Sequence, residues 1–175
     1  MTMSHIPQID YDTASDEIRA AHDEEVRVRG RMTNMKRTLL HSPVAHRIYA
    51  EWFTLREELR PTLDDRAIWF LSHSISEAMK SPIAMGFFRR AFANAGIDFH
   101  TDVPSEDEQR LIAFGRAIVA DSNAVTEEIW VGLKARYDAK ALVDLVAFSG
   151  IMVATALFNN VVEVEFDKEL EPFVD

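Results

Sequence analysis

The stretch from Trp69 to Ala95, WFLSHSISEAMKSPIAMGFFRRAFANA, decides how this chain folds. Its apolar residues recur every three or four positions, which predicts one helix that ends at Ser81 and a second that begins at Pro82. Proline suits the first helical position because its missing N–H would have no intrahelical partner there. Serine before a helix commonly caps it through its hydroxyl oxygen, and we expect Ser81 to do so. Two helices joined at a proline turn are therefore the predicted centre of the fold.

Four side chains of this stretch are predicted to line one face of the first helix. Trp69, His73, Glu77 and Ser81 are spaced every four residues, so they lie nearly above one another. A glutamate beside a histidine raises the proton affinity of the imidazole and orients it, as acid–base catalysis requires. We therefore predict His73 and Glu77 as a catalytic pair, next to a helix N-terminus at Ser81 that favours an anion.

Other interpretations of these residues stay open. His73 could be a buried histidine without function, and an exposed His73–Glu77 pair would be an ordinary surface contact. The same two side chains could hold a metal, but the sequence shows no third ligand, so we predict no metal site.

Further residues around this stretch are candidates for contact with a small molecule. Aromatic and methionine side chains could line an apolar pocket, although at helical spacing they more often belong to a core. The arginines could bind a substrate carboxylate, or they could be solvated. The predicted substrate-binding residues are Trp69, Met85, Phe88, Arg89, Arg37 and His46.

The rest of the chain also has helical periodicity. Ser42-Pro43 repeats the serine–proline start, and Ser105-x-x-Glu108 is the pattern of a capping box. The last helix, about 139–159, is apolar almost all round, which favours a central or interfacial position and predicts self-association. With no alternating strand pattern, the sequence predicts an all-α bundle of about seven to eight helices.

Composition limits the function further. A length of 175 residues predicts one domain, 1–175, with an acidic tail at about 161–175. The net charge of −10 argues against nucleic acid and anionic membranes as partners. The sequence has no cysteine, which excludes disulfides and cysteine nucleophiles. We expect no membrane-spanning run and no secretory signal at Met1–Asp10, hence a cytoplasmic protein.

Short motifs from Ile6 to about Glu165 carry a family resemblance. They are Met32-Thr-Asn34, Arg37-Thr-Leu-Leu-His-Ser-Pro43, Leu63-Asp-Asp-Arg66, the helix to Ser81-Pro82, Ala91-x4-Gly96-Ile, Glu108-x-x-Leu111-x-x-Phe114, Val125-Thr-Glu-Glu-Ile-Trp130 and Leu142-Val-Asp-Leu145-Val-x-x-x-Gly150. In their order and spacing they resemble the alkylhydroperoxidase D-like, carboxymuconolactone decarboxylase superfamily. The resemblance implies an all-helical, oligomeric fold, commonly a trimer or hexamer.

The best-known members of that superfamily are thiol peroxidases. The resemblance places their Glu at Trp69, their two cysteines at Ser81 and Ala84, and their His at Phe88. All four positions are substituted here. A serine hydroxyl cannot form a sulfenate or a disulfide, so we predict no cysteine-based peroxidase activity.

The decarboxylase branch of the superfamily needs no cysteine. The resemblance therefore implies a small-molecule enzyme of acid–base lyase, decarboxylase or isomerase type, acting on a cyclic or aromatic-derived acid without a cofactor. In this hypothesis His73 transfers the proton and Glu77 orients the imidazole of His73. Ser81 contacts the anion, and Arg37 or Arg89 holds the substrate carboxylate. The alternative is a catalytically degenerate member of the fold that binds a ligand or has a structural role in an oligomer.

Overall fold

The structure, a computed structural model, describes residues 4–174 as helices and connecting segments, without a strand in that range. Residues 1–3 and residue 175 belong to the predicted domain 1–175 but lie outside the described residues. The elements are α1 (Asp16–Arg29), α2 (Asn34–Leu39), α3 (Pro43–Leu59), α4 (Asp65–Ala78), α5 (Pro82–Asn94), α6 (Glu106–Ala120), α7 (Glu127–Lys134), α8 (Ala139–Val162) and a 3-10 helix (Lys168–Phe173). The all-α prediction is confirmed, and the 3-10 helix brings the described elements slightly above the predicted seven to eight.

Most helix starts follow the expected capping chemistry. The Ser42 hydroxyl accepts a hydrogen bond from the Ala45 N–H at 3.2 Å. Ser105 and Glu108 form both hydrogen bonds of a capping box. Ser81 differs, since its side chain makes no capping hydrogen bond although its place before Pro82 is the same as that of Ser42. The predicted capping role of the Ser81 hydroxyl is therefore wrong.

Helix α4 is the centre of the bundle and packs against α5, α6 and α8. Ile68, Leu71 and Ile75 of α4 are fully buried. Phe114 of α6 and Phe148 of α8 belong to the same hydrophobic core. The prediction that the stretch around Trp69 lies at the centre agrees with this packing, and burial of these side chains supplies the main driving force for folding.

Helices α4 and α6 approach each other closely at Gly115. A Cβ atom added there would lie 2.3 Å from the buried Ser74 hydroxyl oxygen and 3.2 Å from the Leu71 carbonyl oxygen. The hydroxyl cannot simply turn away, because it donates a hydrogen bond of 2.7 Å to that same carbonyl. The glycine is thus required for the spacing of the two helices.

We expect Gly115→Ala to lower the free energy of unfolding by about 1–3 kcal/mol, as overpacking of a tight core does. Gly150→Ala is the matched control, because nothing lies within 4 Å of a Cβ added at this helical glycine. It should instead stabilise the chain by up to about 1 kcal/mol through helix propensity. Urea unfolding of both variants measures the difference, and equal effects would contradict this account.

Helix α8 has two different faces. Leu145, Phe148 and Met152 lie in the core, whereas Val143 and Val161 are 66% and 65% exposed. By length and composition α8 could cross a membrane, with a mean hydropathy of 2.1 over its most apolar 18 residues. The expectation that no run reaches that length is therefore wrong. The core helix of a soluble protein meets the same criterion, and α8 is one-third buried over that window. Self-association through the exposed face stays a prediction.

The acidic tail folds back onto the bundle. Residues 164–173, called the C-terminal strap below, include the 3-10 helix, which packs against α5. Leu170 is 1% exposed. The Asp167 carboxylate accepts a hydrogen bond of 2.9 Å from the Asn34 N–H at the start of α2. The strap thereby connects α2 with α5.

Candidate functional site

The predicted catalytic histidine, His73, lies on the buried side of α4 and is 3% exposed. Its ring centroid is 4.1 Å from that of Phe99, in the loop before α6. Its Nε2 atom is buried and has no hydrogen-bond partner. Burial lowers the pKa of His73 to about 4, and the charge of Glu77 only partly opposes this shift. The imidazole is therefore neutral at pH 7.

The structure does not assemble the predicted ladder. The Glu77 side chain is 47% exposed, and it accepts a hydrogen bond of 2.9 Å from Arg116. Ser81 is fully buried, and its hydroxyl has no partner. The expected pairing of His73 with Glu77 is not formed, because the His73 ring packs against Phe99 while the Glu77 carboxylate pairs with Arg116 of α6. Glu77 thus reaches the edge that faces α6 and solvent.

The lowered pKa of His73 makes a prediction about stability. Since the unfolded chain binds a proton near the ordinary pKa of 6.5 and the folded chain only near 4, stability falls as the pH drops from 6.5 to 4. We expect this histidine to account for a loss of roughly 3 kcal/mol across that window. His73→Phe should remove this part of the pH dependence, whereas His100→Gln, at an exposed position, should retain it. Urea unfolding at several pH values measures the free energy of unfolding of each variant. If this free energy depends on pH in the same way in wild type and in His73→Phe, the pH dependence does not come from His73.

A cavity of about 320 Å³ lies elsewhere, between α2, α3, α5, α8 and the C-terminal strap. Its walls are mainly apolar, with Tyr49, Trp52, Phe53, Phe87 and Phe88 among the lining residues. A volume of this size, lined by aromatic side chains with a few polar groups, is typical of sites for small molecules.

His46 provides the buried imidazole of this cavity. It lies on the first turn of α3 and is 6% exposed. Its Nε2 atom is 3.5 Å from the Glu25 Oε2 atom but has no hydrogen-bond partner. Burial lowers the pKa of His46, the Glu25 carboxylate raises it, and the Lys36 ammonium lowers it. The imidazole of His46 is thus neutral at pH 7, and one of its nitrogens is buried without a hydrogen bond.

A buried ion pair lies next to His46. The Lys36 ammonium, which lines the cavity, donates a hydrogen bond to the Glu25 carboxylate of α1. Glu25 is 5% exposed. Burial lowers the pKa of Lys36, whereas its hydrogen bond to Glu25 raises it. Two opposite charges out of water need each other, so this pair fixes the position of both groups beside the imidazole.

Asn159 supplies a second unpaired polar atom. It lies on α8, lines the cavity and is 4% exposed. Its Oδ1 atom is buried without a hydrogen-bond partner. Buried polar atoms are normally paired, so His46 Nε2 and Asn159 Oδ1 are two unsatisfied polar atoms in residues that line the cavity.

The charge of the cavity differs from that of the whole chain. Its lining includes the four cations Arg29, Arg31, Lys36 and Arg90, against the one carboxylate of Asp167. The whole chain has a net charge of −10. The concentration of cations around an apolar space favours a ligand with a negative charge.

Of the predicted site residues, His46 and Phe88 line this cavity. Trp69 and Phe88 line a second, neighbouring cavity, which shares an aromatic wall with the first. His73, Glu77, Ser81, Met85, Arg89 and Arg37 line neither of these two cavities. Within residues 4–174, no group of three or more His, Asp or Glu is placed to hold a metal.

The two arginines that were predicted to hold a carboxylate have other contacts. Arg89 donates a hydrogen bond of 3.3 Å to the Phe173 carbonyl oxygen. Arg37 donates one of 3.3 Å to the Asn34 side-chain oxygen. The cations that do line the cavity come from the end of α1, the segment between α1 and α2, helix α2, and the second half of α5.

Sequence reasoning missed Glu25, Lys36 and Asn159. Glu25 belongs to the acidic run Asp23-Glu24-Glu25, which is typical of a solvated surface. A signal was present, since Glu25 follows Ile18 by seven residues and His22 by three, which places it on the inner face of α1. The partners of Glu25 come from α2 and α3, and periodicity within one helix cannot reveal them.

Comparisons with known proteins identify the fold. No family model and no curated protein sequence gives a significant match. Among solved structures, the apo form of the debrominase Bmp8 superposes with a TM-score of 0.75 and 15% identity, covering 99% of this chain and 97% of the other. A cysteine-to-alanine variant of Bmp8 in complex with 2,3,4-tribromopyrrole gives the same TM-score and identity. The alkylhydroperoxidase AhpD core of an uncharacterized peroxidase-related protein from Ralstonia eutropha JMP134 has a TM-score of 0.61 and 16% identity over 97% of this chain and 95% of the other. The chain has the alkylhydroperoxidase D-like fold, and it carries no cysteine.

Proposed function

We propose that this chain is a small-molecule enzyme that uses acid–base chemistry, of lyase, decarboxylase or isomerase type, on a cyclic or aromatic-derived acid. The observation that carries the proposal is the buried imidazole of His46, whose Nε2 atom has no hydrogen-bond partner, among the residues that line the aromatic, cation-lined cavity. We assign proton transfer to His46 rather than to His73, which packs against Phe99 and lines neither described cavity.

The surroundings of His46 suit a general base. Because burial lowers its pKa, the imidazole is neutral at pH 7 and able to accept a proton from a carbon next to a carbonyl group. The imidazolium that forms lies 3.5 Å from the Glu25 carboxylate, which stabilises it. Burial, and to a smaller extent the charge of Lys36, oppose that effect and keep the histidine neutral before substrate binds. The imidazolium then returns the proton to a different carbon or to the same one.

The cavity also supports the substrate class. Aromatic side chains on α3 and α5 provide flat apolar walls for a ring. The cationic lining favours a carboxylate on that ring. The absence of cysteine excludes thiol chemistry, so we propose that the reaction is neither peroxide reduction nor another thiol-dependent reduction. The three solved structures support the placement of such a site on this fold only by analogy.

Deuterium exchange tests this proposal without knowledge of the natural substrate. A panel of cyclic lactone and keto acids in D2O is followed by proton NMR for loss of the C–H signal next to the carbonyl group. We expect at least one compound to exchange faster with the protein than without it, and His46→Gln to remove that acceleration. No acceleration across the panel, or acceleration that His46→Gln leaves intact, would contradict the proposal.

The second candidate is a ligand-binding protein without turnover. Its support is that Ala84 and Phe88, the two cavity positions at which the resemblance implies cysteine and histidine, have no reactive group. A cyclic acid that raises the melting temperature but undergoes no exchange would favour this candidate.

A further inference from the structure

Two arginines meet at one edge of the cavity. Arg31 precedes α2 and Arg90 lies in the second half of α5, and both line the cavity. Their guanidinium carbons are 5.6 Å and 5.8 Å from the ring centroid of Phe87. The Glu169 carboxylate oxygen Oε1 bridges them, at 2.5 Å from Arg31 and 3.3 Å from Arg90. The edge of the cavity is therefore a two-arginine clamp with a carboxylate already in it.

The clamp needs a carboxylate. Burial lowers the pKa of Arg31, and the neighbouring positive charge of Arg90 lowers it further, while Glu169 opposes the shift. Two guanidinium groups this close repel each other unless an anion lies between them. Arginine pairs also match the planar geometry of a carboxylate well, because each guanidinium presents several N–H donors in one plane.

Glu169 is the replaceable member of the cluster. Its side chain is 47% exposed, whereas those of Arg31 and Arg90 are 31% and 21% exposed. Glu169 belongs to the C-terminal strap, which is fixed independently by the buried Leu170 and by the hydrogen bond from Asn34 to Asp167. Its carboxylate is thus able to leave the clamp while the strap stays in place.

We propose that Arg31 and Arg90 form the carboxylate-binding subsite of the cavity, and that Glu169 occupies it until a small cyclic carboxylate displaces it. The inference rests on the proposed function, and it assigns the residues that bind the carboxylate of the proposed substrate. Phe87, next to both guanidinium groups, provides a flat surface for the ring that carries the carboxylate. The strap accordingly contains a built-in competitor that weakens the binding of every carboxylate ligand.

Benzoate and its uncharged analogue benzamide are the probes for this competition, with isothermal titration calorimetry as the measurement. We expect Glu169→Gln to bind benzoate about fivefold more tightly than wild type, since a partly exposed ion pair no longer opposes binding. Glu171→Gln is the matched control, because Glu171 is an exposed glutamate of the same 3-10 helix and has no ion pair within residues 4–174. It should bind benzoate as wild type does, and benzamide should bind both variants alike.

A second variant removes the clamp itself. The double substitution Arg31→Gln and Arg90→Gln should weaken benzoate binding by at least about tenfold and leave benzamide binding unchanged. Circular dichroism verifies that each variant is folded. Equal benzoate affinity in wild type and Glu169→Gln, or a gain for benzamide as large as that for benzoate, would overturn the inference.

The two proposals fail separately. His46→Gln should still bind benzoate, since the clamp does not include the histidine. Tighter benzoate binding by Glu169→Gln together with no proton exchange by any panel compound would retain the subsite and reject the enzyme. Exchange that depends on His46, with benzoate affinity independent of Glu169, would retain the enzyme and reject the subsite.

Discussion

Replacing Glu108 by alanine is expected to lower the free energy of unfolding by about 2–3 kcal/mol, because charge-assisted hydrogen bonds of a buried carboxylate and one half of a helix cap are lost together. Glu108 is 4% exposed, and both of its carboxylate oxygens accept hydrogen bonds of 2.9 Å from Arg66. Its Oε2 atom also accepts a hydrogen bond of 2.6 Å from the Ser105 N–H. The substitution therefore removes one of the two carboxylate partners of Arg66, which keeps its ion pair with Asp102, and it removes half of the capping box.

Glu106→Ala is the matched control for this prediction. Glu106 lies on the same first turn of α6 and pairs with Arg110 at 2.7 Å, but its side chain is 83% exposed. An exposed pair of this kind contributes less than about 1 kcal/mol. Urea unfolding of the two variants compares a buried and an exposed ion pair at the same helix start. A loss at Glu108 no larger than that at Glu106 would show that burial of the carboxylate is not important for stability.

Glu108 also shows how far the sequence alone could lead. The Ser105-x-x-Glu108 pattern predicts the cap, because both partners lie within four residues. It does not predict burial, and the run Glu106-Asp107-Glu108 is typical of solvated first-turn charges. Burial depends on Arg66, which is 42 residues away and comes from α4. Contacts between distant helices are set by the packing of α4 against α6, which local periodicity does not specify.

The same limit explains the site. The four-residue spacing of His73 and Glu77 is a local pattern, whereas the partners of their side chains are distant in sequence, Phe99 for His73 and Arg116 for Glu77. The cavity combines His46, Lys36 and Asn159 from three helices. Sequence reasoning found His46 and Phe88 as single residues, since their types suit a ligand site, but it could not find the group. The missing information is the arrangement of α2, α3 and α8.

His46→Gln is expected to slow exchange of an active panel compound by about 10²–10⁴-fold, the usual contribution of a general base. Glutamine keeps a similar size and a hydrogen-bonding end, but it cannot accept the proton. His73→Gln is the matched control, because it also replaces a buried histidine whose Nε2 atom has no partner. We expect this variant to retain the wild-type exchange rate, measured by proton NMR at a temperature where both variants are folded.

The pH profile distinguishes the two histidines further. Because burial lowers the pKa of His46 below the ordinary 6.5, its neutral form persists under mildly acidic conditions. Activity should therefore be constant near pH 7 and decline only as the pH falls through that lowered pKa, since protonation removes the base. This acidic limb should remain in His73→Gln and disappear from the residual activity of His46→Gln. A limb that disappears only in His73→Gln would move proton transfer from the cavity to α4, where the imidazole packs against Phe99.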